Sequence, residues 1–179
     1  IVRDVYNGLR LWRRKADSLE LISAGGRIYT KVDDKLVALN GETGEVERWF
    51  EVASPGEFLL SDGLLVVANS NSINAFDPET GKRVWSESIA ATRMRAGDGR
   101  LFVHVDNSRR GSDSQLVCFK LKTGEQDWNA STKSWAKEAA FTLIFYSDGV
   151  LVAATKDANH AVSARDGSHL WEYTYDKIG

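Results

Sequence analysis

The apolar residues of this chain fall in short runs rich in Val, Leu, Ile, Phe and Tyr, separated by Asp-Gly, Asn-Gly and Thr-Gly punctuation. Runs of this kind between turn signals predict β-strands joined by hairpins, because glycine supplies the φ > 0 that tight turns require. No stretch of a dozen residues carries a 3.6-residue apolar period. The segment from Ser131 to Ala140 comes nearest, and it reads as a loop with at most one helical turn. The pattern predicts an all-β chain.

The strands recur in phase. Four segments end an apolar strand in a turn: Leu36-Val37-Ala38-Leu39-Asn40-Gly41-Glu42-Thr43-Gly44, Ile73-Asn74-Ala75-Phe76-Asp77-Pro78-Glu79-Thr80-Gly81, Leu116-Val117-Cys118-Phe119-Lys120-Leu121-Lys122-Thr123-Gly124 and His160-Ala161-Val162-Ser163-Ala164-Arg165-Asp166-Gly167. A partial copy, Asp4-Val5-Tyr6-Asn7-Gly8, opens the chain. Four residues after the turn glycine stands Trp12, Trp85, Trp128 or Trp171, whereas the second copy has Arg48 there and Trp49 next. A second glycine turn precedes an apolar strand in each full copy, at Gly26, Gly63, Gly99 and Gly149. The tryptophan spacings, by subtraction about 37, 36, 43 and 43 residues, lie in the range of solenoids, propellers and arrays.

Within one unit the punctuation predicts four antiparallel strands, at Glu57–Leu60, Leu64–Ser70, Ser72–Phe76 and Lys82–Glu87 in the second copy. Four-stranded sheets repeated at this period are β-propeller blades. A blade buries both faces against its neighbours, and the recurring tryptophan fills the wedge that widens outward. Trp12, Trp49, Trp85, Trp128 and Trp171, with Gly44, Gly81, Gly124 and Gly167, are therefore assigned to the repeat framework. Residues 1–14 read as the outer half of a blade, and residues 15–179 as four blades of one domain. Inner strand pairs occur four times and outer pairs five times, so an open fragment of a larger ring is expected. Such a fragment bares an apolar face at each end and is expected to self-associate. Both termini, Ile1-Val2-Arg3-Asp4 and Asp176-Lys177-Ile178-Gly179, read as cut from something longer.

Composition narrows the function classes. With 23 Lys and Arg against 25 Asp and Glu, the net charge of -2 disfavours a nucleic-acid module. No apolar run approaches the roughly 20 residues of a membrane helix. The lone Cys118 allows no internal disulfide and no two-cysteine zinc site, and it reads as a small buried residue. His104, His160 and His169 are assigned to separate repeats without metal-ligand spacing. Asp33-Asp34 reads as a hairpin turn. Arg10, Arg13, Arg14 and Lys15 read as a solvated outer strand. Phosphate-loop, nucleophile-elbow and zincin motifs are absent.

The pattern apolar-Ala-apolar-Asp/Asn-x-x-Thr-Gly-x-x-x-Trp resembles the repeat of pyrroloquinoline-quinone (PQQ) type β-propellers, and the resemblance spans nearly the whole chain. It implies a ring of typically seven or eight blades. That family includes quinone-dependent alcohol dehydrogenases and the non-catalytic envelope lipoprotein of the outer-membrane assembly machine. In the enzymes the resemblance would imply a calcium ion held by a Glu, an Asn and an Asp, a stacking Trp, and a disulfide between adjacent cysteines. The cysteine pair is missing and no carboxylate matches the calcium triad, so no catalytic, cofactor or metal residue is assigned and no cofactor is expected.

Two insertions lengthen the later units: the segment from Asp106 to Ser114 and the segment from Asn129 to Glu138. Propellers bind through loops on a rigid frame, and Arg109, Arg110 and Trp135 are residue types enriched at interface hot spots. The expectation is a non-enzymatic scaffold that binds protein partners in the bacterial envelope or periplasm. The alternative is a fragment of a PQQ- and calcium-dependent alcohol dehydrogenase whose active site lies outside this segment. A sensor propeller attached to another domain is a third option.

Overall fold

The computed structural model describes residues 1–14, 20–106, 114–133, 135 and 142–175. A two-stranded ribbon, β1 (Val2–Arg3) and β2 (Arg10–Trp12), precedes four four-stranded antiparallel meanders. Blade 1 holds β3 (Leu21–Ala24), β4 (Arg27–Val32), β5 (Lys35–Asn40) and β6 (Val46–Phe50). Blade 2 holds β7 (Phe58–Ser61), β8 (Leu64–Ala68), β9 (Ile73–Phe76) and β10 (Arg83–Glu87). Blade 3 holds β11 (Arg93–Gly97), β12 (Arg100–Val105), β13 (Gln115–Lys120) and β14 (Gln126–Ser131). Blade 4 holds β15 (Thr142–Ser147), β16 (Val150–Ala154), β17 (Ala158–Ser163) and β18 (His169–Thr174). The strand ends in blade 2 fall within two residues of those expected from the sequence.

Middle strands carry apolar residues on both faces because both faces of a blade are covered. Alternate side chains point to opposite faces. Leu65 and Val67 pack on Leu36, Ala38 and Phe50 of blade 1. Val66 and Ala68, one residue out of phase, pack on Met94, Leu101 and Val117 of blade 3. Phe102, Leu116 and Cys118 then cover Leu143, Leu151 and Val162 of blade 4. Cys118 is fully buried, and burial pushes its thiol up to about 12. The first-in-blade strands β7, β11 and β15 lie side by side. There Arg95 joins three blades, donating to Glu57 Oε1 at 3.2 Å and to the Leu143 carbonyl at 2.9 Å.

The repeated turn is explained by its residue types. Asn40 Oδ1 accepts from the backbone N–H groups of Glu42 and Thr43, and Asp77 Oδ1 from those of Glu79 and Thr80. The Thr43, Thr80 and Thr123 hydroxyls each accept from the N–H two residues on. The turn glycine closes back on the carbonyl four residues earlier, as Gly44 does on Asn40, with φ near +75°. After every such turn the outer strand carries a β-bulge. The extra residue shifts the strand by half a pleat, so the residue four past the glycine faces the following blade.

That residue docks on the next turn. The Trp12 indole donates to Gly41 O at 2.9 Å, Trp85 to Leu121 O at 2.8 Å and Trp128 to Ala164 O at 3.1 Å. Each acceptor lies three residues before the glycine under the ring. A Cβ on Gly44, Gly124 or Gly167 would sit within 2.8 Å of an atom of the preceding blade, the indole itself at the first two. Burying an aromatic of about 150–250 Å² at about 25 cal/mol per Å² gives roughly 4–6 kcal/mol of gross stabilisation for the buried Trp85, and less for the half-buried Trp12 and Trp128.

Trp49 departs from the framework assignment. Trp49 is 49 % exposed and pairs with Val37, on the opposite face from the docking position. Arg48 pairs with Ala38 and lies over Gly81 instead, its stem covering the glycine as a ring does elsewhere. Trp171 holds the docking position of blade 4 as assigned and is 50 % exposed, with no turn among the described residues seated on it.

The glycine contacts predict a graded response. Gly63 has φ +77° and open space around it, so Gly63→Ala costs only left-handed backbone strain of about 1–2 kcal/mol. Gly124→Ala adds collision with Trp85, and its denaturant midpoint falls further, by about 1–3 kcal/mol of extra destabilisation. Equal losses in the two variants would show that indole docking contributes nothing. Arg48→Trp places an indole over Gly81 with the Pro78 carbonyl at the acceptor position of the motif. It is expected to stabilise the chain by about 1 kcal/mol in the same measurement.

Candidate functional site

Among the described residues, a cluster of metal-ligating side chains lies on the outer hairpin of blade 4. His160 on β17 pairs with Glu172 on β18, and His169 pairs with Val162. His169 and Glu172 are three apart and would face opposite ways on a regular strand. The bulge at Leu170 returns them to one face, shared with His160 and Val162. His160 Nδ1 lies 3.4 Å from His169 Nε2 and 3.7 Å from Glu172 Oε2. One donor atom from each of the three lies within 4.8 Å of the others. His160 is 2 % exposed, whereas His169 and Glu172 are open to solvent.

Two neighbours complete the cluster. The Trp135 ring lies 5.0 Å from the His160 ring and 5.9 Å from that of His169, stacked within 15° of the latter. The Thr155 hydroxyl donates to the Ala158 carbonyl at 3.2 Å, accepts from the Ala158 N–H at 3.1 Å, and lies 3.4 Å from His160 Nε2. A cleft of about 300 Å³ opens beside these groups, lined also by Lys156 and Asp157, whose charges cancel. Burial pushes the His160 imidazole below its ordinary value; the Glu172 carboxylate opposes this and His169 adds to it.

The assignment of the three histidines to separate repeats is therefore wrong for two of them. His160 and His169 share one hairpin, and counting the bulge back from Gly167 would have paired His160 with Glu172. His104 lies apart on β12, its Nδ1 2.8 Å from the Thr92 hydroxyl, and burial pushes it down to about 4. Trp135, expected in a surface loop, is 9 % exposed and packs into the seam between blades 3 and 4. Arg109 and Arg110 lie outside the described residues, as does most of the segment from Ser131 to Ala140. Arg10, Arg13 and Arg14 are exposed, and Arg14 donates to the Gly44 carbonyl at 3.0 Å. Asp33 and Asp34 form a hairpin turn with φ of 51° and 56°.

The residues described do not fit a quinone–calcium set. Trp12, Trp85 and Trp128 stand on outer strands with their indoles engaged by neighbouring turns, so none is free to stack on a quinone. The one cysteine is buried in β13.

The sequence profile described as outer membrane protein assembly factor BamB matches this chain twice, over residues 2–95 and 69–177. BamB of Francisella tularensis subsp. tularensis (strain SCHU S4 / Schu 4) is 27 % identical over 138 residues, covering 76 % of this chain and 28 % of the relative. The crystal structure of BamB from Moraxella catarrhalis superposes with a TM-score of 0.69 at 14 % identity, covering 97 % of this chain and 57 % of that one. A quinohemoprotein alcohol dehydrogenase of Pseudomonas putida HK5 gives a TM-score of 0.68 at 15 % identity, covering 86 % of this chain and 33 % of that one. These two structures show a shared propeller fold. This chain spans about a quarter of the curated relative it matches. The profile matches, which together cover nearly every residue, carry the assignment: the chain belongs to the family of the outer membrane protein assembly factor BamB.

Proposed function

We propose that this chain is part of a non-enzymatic propeller scaffold that binds protein partners in the cell envelope during outer-membrane protein assembly. The observation that carries the reading is the double match to the BamB family profile. The blade mechanics support it. Seam contacts engage the framework indoles and turns, which leaves the connecting loops free to vary on a rigid frame. The segment from Asp106 to Ser114, with Arg109 and Arg110, supplies the partner-facing charge. Trp135 contributes from within the seam between blades 3 and 4. No helix among the described residues is long and apolar enough to cross a membrane.

The test uses the full-length protein. Affinity-tagged protein crosslinked in the envelope is expected to recover outer-membrane assembly proteins. The Arg109→Glu/Arg110→Glu double variant, with unchanged melting, is expected to bind the recovered partner at least about 10-fold more weakly. Calorimetric binding of PQQ with calcium, together with alcohol-dependent dye reduction, would overturn the scaffold reading in favour of the dehydrogenase alternative.

A further inference from the structure

The cross-strand position held by His160 and Glu172 recurs in every full blade. It holds Val37 and Trp49 in blade 1, Asn74 and Ser86 in blade 2, and Val117 and Asn129 in blade 3. The position two past the turn glycine, held by His169 in blade 4, is Val46, Arg83 and Gln126 in the others. The framework thus offers the same three-residue site in each blade. Among the four, blade 4 alone fills all three places with side chains that ligate metals.

The donor geometry is suited to one class of ion. Bonds of about 2.0–2.1 Å around a tetrahedral zinc put neighbouring donor atoms about 3.3–3.4 Å apart. The 3.4 Å and 3.7 Å separations from His160 Nδ1 approach that edge length, and the third edge, between His169 and Glu172 in a set bounded at 4.8 Å, closes by rotation of these two exposed side chains. With its own proton on the Ala158 carbonyl, the Thr155 oxygen is left to accept from an Nε2–H of His160, and that tautomer turns the lone pair of Nδ1 into the cluster. That lone pair then faces a carboxylate oxygen. Two acceptors that close repel unless a proton or a cation lies between them. Two imidazoles and one carboxylate favour zinc-class ions over calcium or magnesium, which take oxygen ligands. Trp135 roofs the buried side, and the exposed His169 and Glu172 leave an entry path.

We propose that His160, His169 and Glu172 bind a divalent transition-metal ion of the zinc class, with Thr155 as a positioning residue and a fourth coordination place open to the cleft beside Trp135. The ion ties β17 to β18 across the bulge. This inference does not rest on the scaffold reading, and a metal site is compatible with either outcome of the partner test.

The experiment titrates tag-free, full-length protein with Zn²⁺ against a competing chelator, and with Co²⁺ as a spectroscopic probe. The expected result is saturable uptake of one ion lost in His169→Ala and in Glu172→Gln, with visible Co²⁺ bands of a low-coordinate nitrogen–oxygen site that vanish in the same variants. Both substituted residues are exposed, and unchanged melting of the metal-free variants checks their folding. Each is expected to weaken Zn²⁺ by more than about 100-fold, since even outer partners of metal ligands are worth about 10–100-fold. Thr155→Val is expected to weaken it by about 10–100-fold with the ligands intact. Equal Zn²⁺ stoichiometry and affinity in the wild type and the His169→Ala/Glu172→Gln double variant would overturn the site. Tighter binding of Ca²⁺ than of Zn²⁺ would overturn the ion class, and an unchanged Thr155→Val would overturn the positioning role.

Discussion

The contact between an indole and the glycine of the next turn is what the rest of this structure depends on. It joins three requirements that sit on different parts of the chain. The turn must close with φ > 0, the following strand must bulge, and the next blade must present a bare glycine with a carbonyl three residues before it. Each indole hydrogen bond between full blades spans 36 residues, so one blade is held by its sequence neighbours. Such an architecture is close to one-dimensional, with stability built from local units and nearest-neighbour seams. The Arg95 bridge near the axis adds a second tie per seam, from Glu57 to the Leu143 carbonyl.

This constraint explains how much of the fold could be read from the residues alone. Strands and turns were legible because Gly, Asx and Thr each perform a distinct backbone task in the motif. Blade stacking was legible because Leu64–Ala68 and Ile73–Phe76 are apolar on both faces. Trp49 was misread because residue type was followed where phase decides. One residue past the bulge position puts a side chain on the other face, so Arg48, though charged, inherits the seam and Trp49 is left half exposed, with the Lys35 ammonium 5.5 Å from its ring centroid. Position relative to the bulge outranks hydrophobicity there.

The histidine cluster was hidden for a related reason. His160, His169 and Glu172 have no spacing that a strand of period two would bring together. Only the bulge at Leu170 restores them to one face, and the bulge is a property of the repeat rather than of those residues. Trp135 was hidden differently. Its polar sequence neighbours say how its loop is solvated but not that the seam between blades 3 and 4 has room for an indole beside two imidazoles.

Framework and site positions therefore carry different freedoms. At Gly44, Gly124 or Gly167 any side chain meets both a strained backbone and an atom of the preceding blade, so these positions are closed to new chemistry. The cross-strand pair five residues past the glycine closes no turn and docks on no neighbouring glycine, and it already holds an apolar pair, an amide–hydroxyl pair, a valine–amide pair and a His–Glu pair in one chain. A repeat protein of this kind can acquire a site in one blade without disturbing the others, because the bulge that aims the side chains is maintained by the docking contact. In blade 4 that makes the same bulge responsible for two outcomes: it turns Trp171 toward the place of a following blade, and it turns His169 and Glu172 toward His160.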